Sequence, residues 1–250
     1  IMSGHSKWST IKRKKGANDA ARAKVFTKLS REIAVAVKEG GTDPNNNSKL
    51  RDLLAKGRAA NVPQDNLLRA IKKAGDDDKT NYEANVYEGY GNGGIAVIVE
   101  TLTDNKNRTA SNMRHYFDKF GGNLGASGCV SYMFEEKGLI VIDKDEYEEY
   151  DEEKVLNDCL EAGADDVSFE EDVIEVTTAT ANVGEVADEL EKMGYKMSQR
   201  EPAMIPNNYT RIEDEETLIK LALLFDHREE DDDVQNVWNN LENEEDLPEL

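Results

Sequence analysis

The sequence predicts an α+β multidomain protein, with a helical N-terminal segment followed by two mixed strand-and-helix domains, one inserted in the other. The hydrophobic period is helical up to about residue 75, and strand-like and helix-like runs alternate after it. A polar break at Asp76-Asp77-Asp78 separates the two regimes. Charge changes sign across that break: residues 1–79 carry 18 Lys/Arg against 9 Asp/Glu, and residues 80–250 carry 13 against 43.

Residues 3–16 show no sustained period and read as a flexible basic arm. From about Asn18 to Glu39, Phe26, Leu29, Ile33 and Val37 share one helical stripe. Lys24, Lys28 and Arg31 fall opposite it, roughly 140–200° from Phe26 at about 100° per residue. Gly40-Gly41 and Asp43-Pro44 end this helix. Ser48 is the expected N-cap of a second helix carrying Leu50, Leu53 and Leu54. Pro63 fits the first turn of a third, with Leu67, Ala70, Ile71 and Ala74 inward, Gly75 at its C-terminal cap, and Arg69, Lys72 and Lys73 outward. Together they predict a three-helix domain.

The body begins with a strand at Ile95–Leu102, a helix over Asn105–Phe120 and a strand at Cys129–Phe134. Strands at Leu139–Ile142, Val167–Phe169, Val173–Val176 and Tyr195–Met197 follow, with helices around Val155–Leu160 and Val183–Met193. This second series reads β-α-β-β-α-β and is complete in itself, the split βαβ signature of a ferredoxin-like fold. After Pro206 a strand near Tyr209–Ile212, a helix bearing Leu218, Leu221, Leu224 and Phe225, and a strand at Val234–Trp238 supply the missing half of another such unit. The expected organisation is a basic helical domain over 1–79, a discontinuous α+β domain over 80–136 and 204–241, an inserted acidic α+β domain over 137–203, and an acidic tail over 242–250 without fixed structure.

Apolar residues make up 38% of the chain and charged residues 33%, so there is material for a core under a highly charged surface. No stretch approaches the ~20 apolar residues of a membrane span, and the basic N-terminus lacks the apolar run of a secretory signal. Cys129 and Cys159 stand far apart without a C-x-x-C, which implies neither a disulfide framework nor a zinc site. A soluble, reducing, cytoplasmic setting is expected.

Catalytic signals are thin. Gly89-Tyr90-Gly91-Asn92-Gly93-Gly94 matches G-x-G-x-x-G, but a dinucleotide fingerprint follows a strand and opens a helix, and these glycines precede a strand, so a tight turn is expected. Gly125-Ala126-Ser127-Gly128 reads as a turn leading into a strand rather than a nucleophile elbow. His5, His115 and His227 accompany no hydrolase, zincin or Walker pattern. Seven acids in the nine positions Asp145–Glu153 read as a solvated or repulsive face. Asp231-Asp232-Asp233 lacks calcium-loop spacing and reads as a loop. No catalytic residue, cofactor or metal is expected, and the chain does not read as an enzyme.

The basic segment carries the functional signal. A row such as Lys24, Lys28, Arg31 is normally a solvated helix face. Three features favour a nucleic acid instead: basic outer faces recur on the first and third helices, the arm interleaves Lys and Arg with Gly, Ser and Thr, and Trp8 in that arm could stack on a base. Such cations neutralise phosphates and release counterions, which gives affinity without sequence choice.

Gly4-His5-Ser6-Lys7-Trp8, Phe26-Thr27-Lys28-Leu29 with Arg31-Glu32-Ile33, Asp65-Asn66 after Pro63, Tyr87-Glu88-Gly89-Tyr90-Gly91, and Leu102-Thr103-Asp104-Asn105 with Asn107-Arg108-Thr109 stand in that order. This set resembles the YebC/PmpR family, which includes the mitochondrial translational activator of cytochrome c oxidase subunit one. The resemblance runs from Met2 to Trp238 and implies a helical N-terminal domain followed by two α+β domains. It also implies a regulator of gene expression: some members are described as DNA-binding transcriptional regulators, others as ribosome-associated factors that help synthesis through consecutive prolines. Gln64, Asn92 and Cys129 depart from the usual Lys, Pro and Ser, and Gln64 removes one positive charge.

The leading expectation is a non-enzymatic factor, monomeric and cytoplasmic, whose arm and first domain grip ribosomal RNA. His5, Ser6, Lys7 and Trp8 would insert and stack. Lys12, Arg13, Lys14, Lys15, Lys24, Lys28, Arg31, Arg69, Lys72 and Lys73 would hold phosphates. The alternatives are a DNA-binding transcriptional regulator using the same surface, and an acidic docking module for basic proteins.

Overall fold

The computed structural model describes residues 19–76, 80–144, 150–170 and 172–248. They form an α+β protein in two compact units: residues 135–205 make one, and the stretches before and after them make the other.

In the larger unit, helices α1 (Asp19–Gly40), α2 (Ser48–Ala59) and α3 (Gln64–Gly75) bury one apolar cluster. Leu29, Ile33 and Val37 lie within it as their spacing requires, joined by Leu50, Leu67 and Ile71. The cap of α2 is Asn47 rather than Ser48. Its Oδ1 accepts from Leu50 N at 3.1 Å while its Nδ2 donates to Ala36 O and Gly41 O at 2.8 and 2.9 Å. One buried amide therefore closes α1 and opens α2.

The same unit holds a four-stranded sheet of β1 (Glu83–Tyr90), β2 (Ala96–Thr103), β3 (Asn123–Leu124) and a late strand, Val234–Asn239, here β8 because four strands intervene. Its order is β3-β1-β2-β8, with β1 antiparallel to both β2 and β3, and β8 antiparallel to β2. Helix α4 (Lys106–Lys119) crosses from β2 to β3. Met113 and Phe117 of α4 pack with Val97 and Val99 of β2 and with Leu221, Ala222 and Phe225 further along the chain.

This sheet has the ferredoxin-like order, but its central strand comes from an unexpected place. The strand expected near Tyr209–Ile212 is a single bridge, Thr210 to Leu241, and Glu83–Tyr90 fills the position instead. The strand expected at Cys129–Phe134 is not formed there: the short β3 takes its place beside β1, Ser131–Met133 form a 3-10 turn, and the strand that starts at Phe134 belongs to the other sheet. The cause is Glu88 on β1, whose buried carboxylate accepts from Gly128, Val130 and Ser131 N–H at 2.8, 3.0 and 2.9 Å and wraps that loop around itself. Burial would raise the Glu88 pKa, but these backbone donors outweigh it and hold the carboxyl below its usual value.

In residues 135–205 the expected β-α-β-β-α-β series is present. It comprises β4 (Phe134–Asp143), α5 (Glu152–Ala162), β5 (Asp166–Phe169), β6 (Val173–Thr178), α6 (Val183–Lys192) and β7 (Met197–Pro206), in the order β5-β6-β4-β7. Ile140, Ile142, Ile174 and Val176 meet Val155, Cys159, Val186 and Leu190 of the two helices. In the acidic run before α5, residues 145–149 lie outside the described residues. Asp151 caps the helix through Glu153 N and Lys154 N, and Glu152 and Glu153 occupy its first turn, where the helix dipole favours acids.

Returning to the larger unit, α7 (Glu215–Glu230) precedes β8. The end of the chain is more ordered than its composition suggests. Leu241 and Leu247 join the core, and Asn243 both accepts from Ile212 N at 3.0 Å and donates to Ile212 O at 2.8 Å. Residues 242–248 are therefore anchored, which corrects the expectation of an acidic tail without fixed structure.

Candidate nucleic-acid interface

The three cations expected to line the outer face of α1 do not point freely into solvent. Arg31 Nη1 lies 2.5 Å from Asp233 Oδ1 and donates at 2.9 Å to Leu102 O, with Tyr82 beneath its guanidinium at 5.5 Å. Lys24 Nζ meets Glu230 Oε1 at 3.1 Å. Lys28 is half-buried. In this conformation the charge of Arg31 is committed to a carboxylate of the same chain, and only 15% of its side chain is exposed.

Asp233 sits at the centre of this joint, 2% exposed. Arg108 reaches it from α4 with two nitrogens, Nη2 to Oδ2 at 2.8 Å and Nε to Oδ2 at 3.2 Å, and Thr109 Oγ1 donates to the same oxygen at 2.8 Å. Burial alone would raise the Asp233 pKa, but the hydrogen bonds from Arg31, Arg108 and Thr109 win and hold it below the ordinary carboxylate value. Arg108 also bridges to Asp104 at 2.9 Å. Next to it, Asn112 and Tyr116 donate to Asp231 Oδ2 at 3.0 and 3.2 Å. Burial first, and Asp231 second, push the Tyr116 phenol up to about 12, so it remains a donor. Sequence spacing presents Asp231–Asp233 as a loop and misses this partnership. The visible signal was Asn107-Arg108-Thr109 within the family-like motifs.

The outward cations of α3 are placed as expected. Arg69, Lys72 and Lys73 are exposed. Arg69 bonds locally, to Asn66 Oδ1 at 2.7 Å and Asp65 O at 3.3 Å. Among the described residues Lys72 and Lys73 have no hydrogen-bond or ion-pair partner, and they occupy the last turn of α3, where the helix dipole also favours cations. Arg51 and Arg58 on α2, absent from the expected set, are likewise exposed and without a partner among the described residues. Their seven-residue spacing puts them on one stripe, and that period was the signal that would have found them. Other cations of the helical segment are engaged: Lys49 with Glu39 at 2.8 Å, Lys56 with Glu32 at 3.4 Å, and Lys38 with Thr80 O. His5, Ser6, Lys7, Trp8, Lys12, Arg13, Lys14 and Lys15 lie outside the described residues.

The glycine motif joins two strands instead of opening an α-helix. Gly91 N donates to Ile95 O at 2.7 Å, and Gly93 turns the chain with φ 73°, left-handed backbone that favours glycine. It is the β1–β2 hairpin connection. Cys129 and Cys159 are free thiols, and burial raises Cys159 to about 11. Among the described residues no group of three or more His, Cys, Asp or Glu is arranged to hold a metal ion, and no helix is long and apolar enough to cross a membrane.

Two family models match the chain: the TACO1/YebC N-terminal domain over residues 6–77 and the TACO1/YebC second and third domain over residues 82–241. A relative from Finegoldia magna named "Probable transcriptional regulatory protein" is 53% identical over 97% of this chain and 100% of its own length. One of similar name from Clostridium novyi is 52% identical over 96% of this chain and 97% of its own. The crystal structure of a conserved hypothetical protein from Aquifex aeolicus is similar with a TM-score of 0.80 at 45% identity, covering 90% of this chain and 91% of that one.

Proposed function

We propose that this chain, which belongs to the TACO1/YebC family, is a non-enzymatic, nucleic-acid-binding regulator of gene expression that grips ribosomal RNA through its helical segment and basic arm and assists elongation through difficult stretches such as consecutive prolines. The observation that carries the reading is the set of exposed cations on α2 and α3, Arg51, Arg58, Lys72 and Lys73, that no carboxylate among the described residues neutralises. They stand in residues 1–79, where basic residues outnumber acids, 18 to 9. A strongly acidic body would repel a polyanion and orient it toward that part. The arm, with Trp8 and Lys12–Lys15, extends the same basic character and supplies a stacking group.

The test is co-sedimentation with ribosomes at physiological salt. Wild type is expected in the pellet, and a variant with Lys72 and Lys73 changed to Glu, combined with charge reversal at Lys12–Lys15, in the supernatant. Retention of that variant discards the reading. The names of the relatives favour transcriptional regulation, and the second reading is a DNA-binding regulator using the same surface. That reading requires a promoter fragment to bind at least ~10³ more tightly than scrambled DNA at matched salt; equal affinities remove it.

A further inference from the structure

We infer that the Lys24–Arg31 strip of α1 is a second RNA-phosphate surface, masked in this conformation by the Glu230–Asp233 segment, and that RNA displaces those carboxylates when it binds. The inference rests on the RNA-binding reading above. Lys24 and Arg31 are seven residues apart on one helical stripe, about 10.5 Å along the axis. Each meets a carboxylate of the same four-residue segment, Glu230 at 3.1 Å and Asp233 at 2.5 Å. A carboxylate held against a lysine or arginine engages it as a phosphate oxygen would, through a charge-assisted hydrogen bond. The segment therefore sits where phosphates of an extended strand could sit.

The exchange strands no charge and releases one carbonyl, Leu102 O, from its hydrogen bond with Arg31. The Glu230 side chain is 66% exposed and returns to water. Asp233 keeps Arg108 and Thr109 when Arg31 leaves, at 2.8 Å each, so its buried charge stays neutralised. The Lys24–Glu230 pair is exposed on both sides, a class of contact that holds weakly and yields to salt. Lys24 and Arg31 gain phosphate partners in return. Masking keeps two cations from non-specific polyanions until the cations of α2 and α3 have anchored the right one.

The test is a double-mutant cycle on the full chain, read as affinity for a fluorescent RNA stem-loop across a salt series. Glu230→Gln is expected to tighten binding about threefold, the size of an exposed ion pair, with little change in the log–log salt slope, because Lys24 meets a phosphate in both proteins. Asp232→Asn is the control, because Asp232 is exposed and has no partner among the described residues; it removes the same charge and frees no lysine, so its gain is distinctly smaller. Lys24→Ala cancels the Glu230→Gln gain, and Arg31→Gln, measured well below its unfolding temperature, makes the slope shallower. Equal gains from Glu230→Gln and Asp232→Asn, a Glu230→Gln gain that survives in Lys24→Ala, or an unchanged slope in Arg31→Gln overturns the masking. Lys72→Glu with Lys73→Glu, combined with charge reversal at Lys12–Lys15, separates the two claims. Wild-type affinity there discards the RNA reading itself, whereas weakened binding beside a flat cycle discards the masking alone.

Discussion

Arg31 of α1 and Asp233, the residue before β8, meet at 2.5 Å across a sequence separation of 202 residues. The contact ties the helical segment to the sheet of the same unit, and Arg108 completes it from a third element.

Asp233→Asn is expected to destabilise this unit by about 3 kcal/mol, since it leaves two guanidinium groups facing a neutral amide in a largely desolvated joint. The acid limb follows from the depressed pKa of Asp233. The unfolded chain takes up the proton first, so the contribution is complete above the ordinary value of 3.8 and is lost as pH falls through the lower folded value. Urea midpoints measured against pH should decline below that range in wild type and decline less in Asp233→Asn. Identical acid limbs would contradict the assignment.

Glu175 predicts the opposite slope. It lies on β6 across from Val141 and Ser168, 6% exposed, and burial first, with Glu170 second, pushes its pKa up from 4.5 to about 8. Between those values the folded state holds a proton that the unfolded chain has released, so stability falls as pH rises from 4.5 to about 8 and then levels. Glu175→Gln should remove this slope and stabilise residues 135–205 above pH 8 by about 2 kcal/mol. Thermal melts at several pH values check both the sign and the window.

Arg228 is fully buried, with its guanidinium stacked 3.6 Å over Phe117 and its three nitrogens without an acceptor among the described residues. Burial lowers its pKa to about 9, a sign that the charged form is held at a cost. Arg228→Met should therefore be neutral or stabilising by up to about 4 kcal/mol, whereas Phe117→Ala should lose about 3–5 kcal/mol by opening the core. Urea titrations decide between these outcomes, and a strongly destabilised Arg228→Met would refute the expectation.

Gly89→Ala tests a close approach. A Cβ at Gly89 would lie 2.7 Å from Phe117 Cε1 and press on the backbone carbonyl of Asn123, which pairs β3 to β1. The expected cost is about 1–3 kcal/mol, read as a lowered thermal midpoint.

Local periodicity made much of the fold legible. Leu29, Ile33 and Val37 announced α1, and Ile140 with Ile142, or Ile174 with Val176, announced the strands that bury them. Glu83–Tyr90 escaped because its residues are mostly half-exposed and polar; it is a strand by virtue of pairing with β2 along its whole length, which no local pattern records. The site was less legible for a similar reason. Charge counting located the basic segment, but whether an individual cation faces solvent depends on carboxylates some 200 residues away, as Lys24 and Glu230 show. The free pair on α2, Arg51 and Arg58, was readable from spacing; the capture of Arg31 was not.

The placement of β8 beside β2 has a consequence for a chain made from its N-terminus. Residues 135–205 contain all the strands of their own sheet apart from the two terminal residues, whereas β2 keeps an open edge until residues 234–239 emerge. An open edge can pair with a neighbour, and domains close as their last strand arrives. The acidic middle of the molecule is thus positioned to mature first, and truncation a few residues short of Val234 should yield aggregates instead of a shortened native protein.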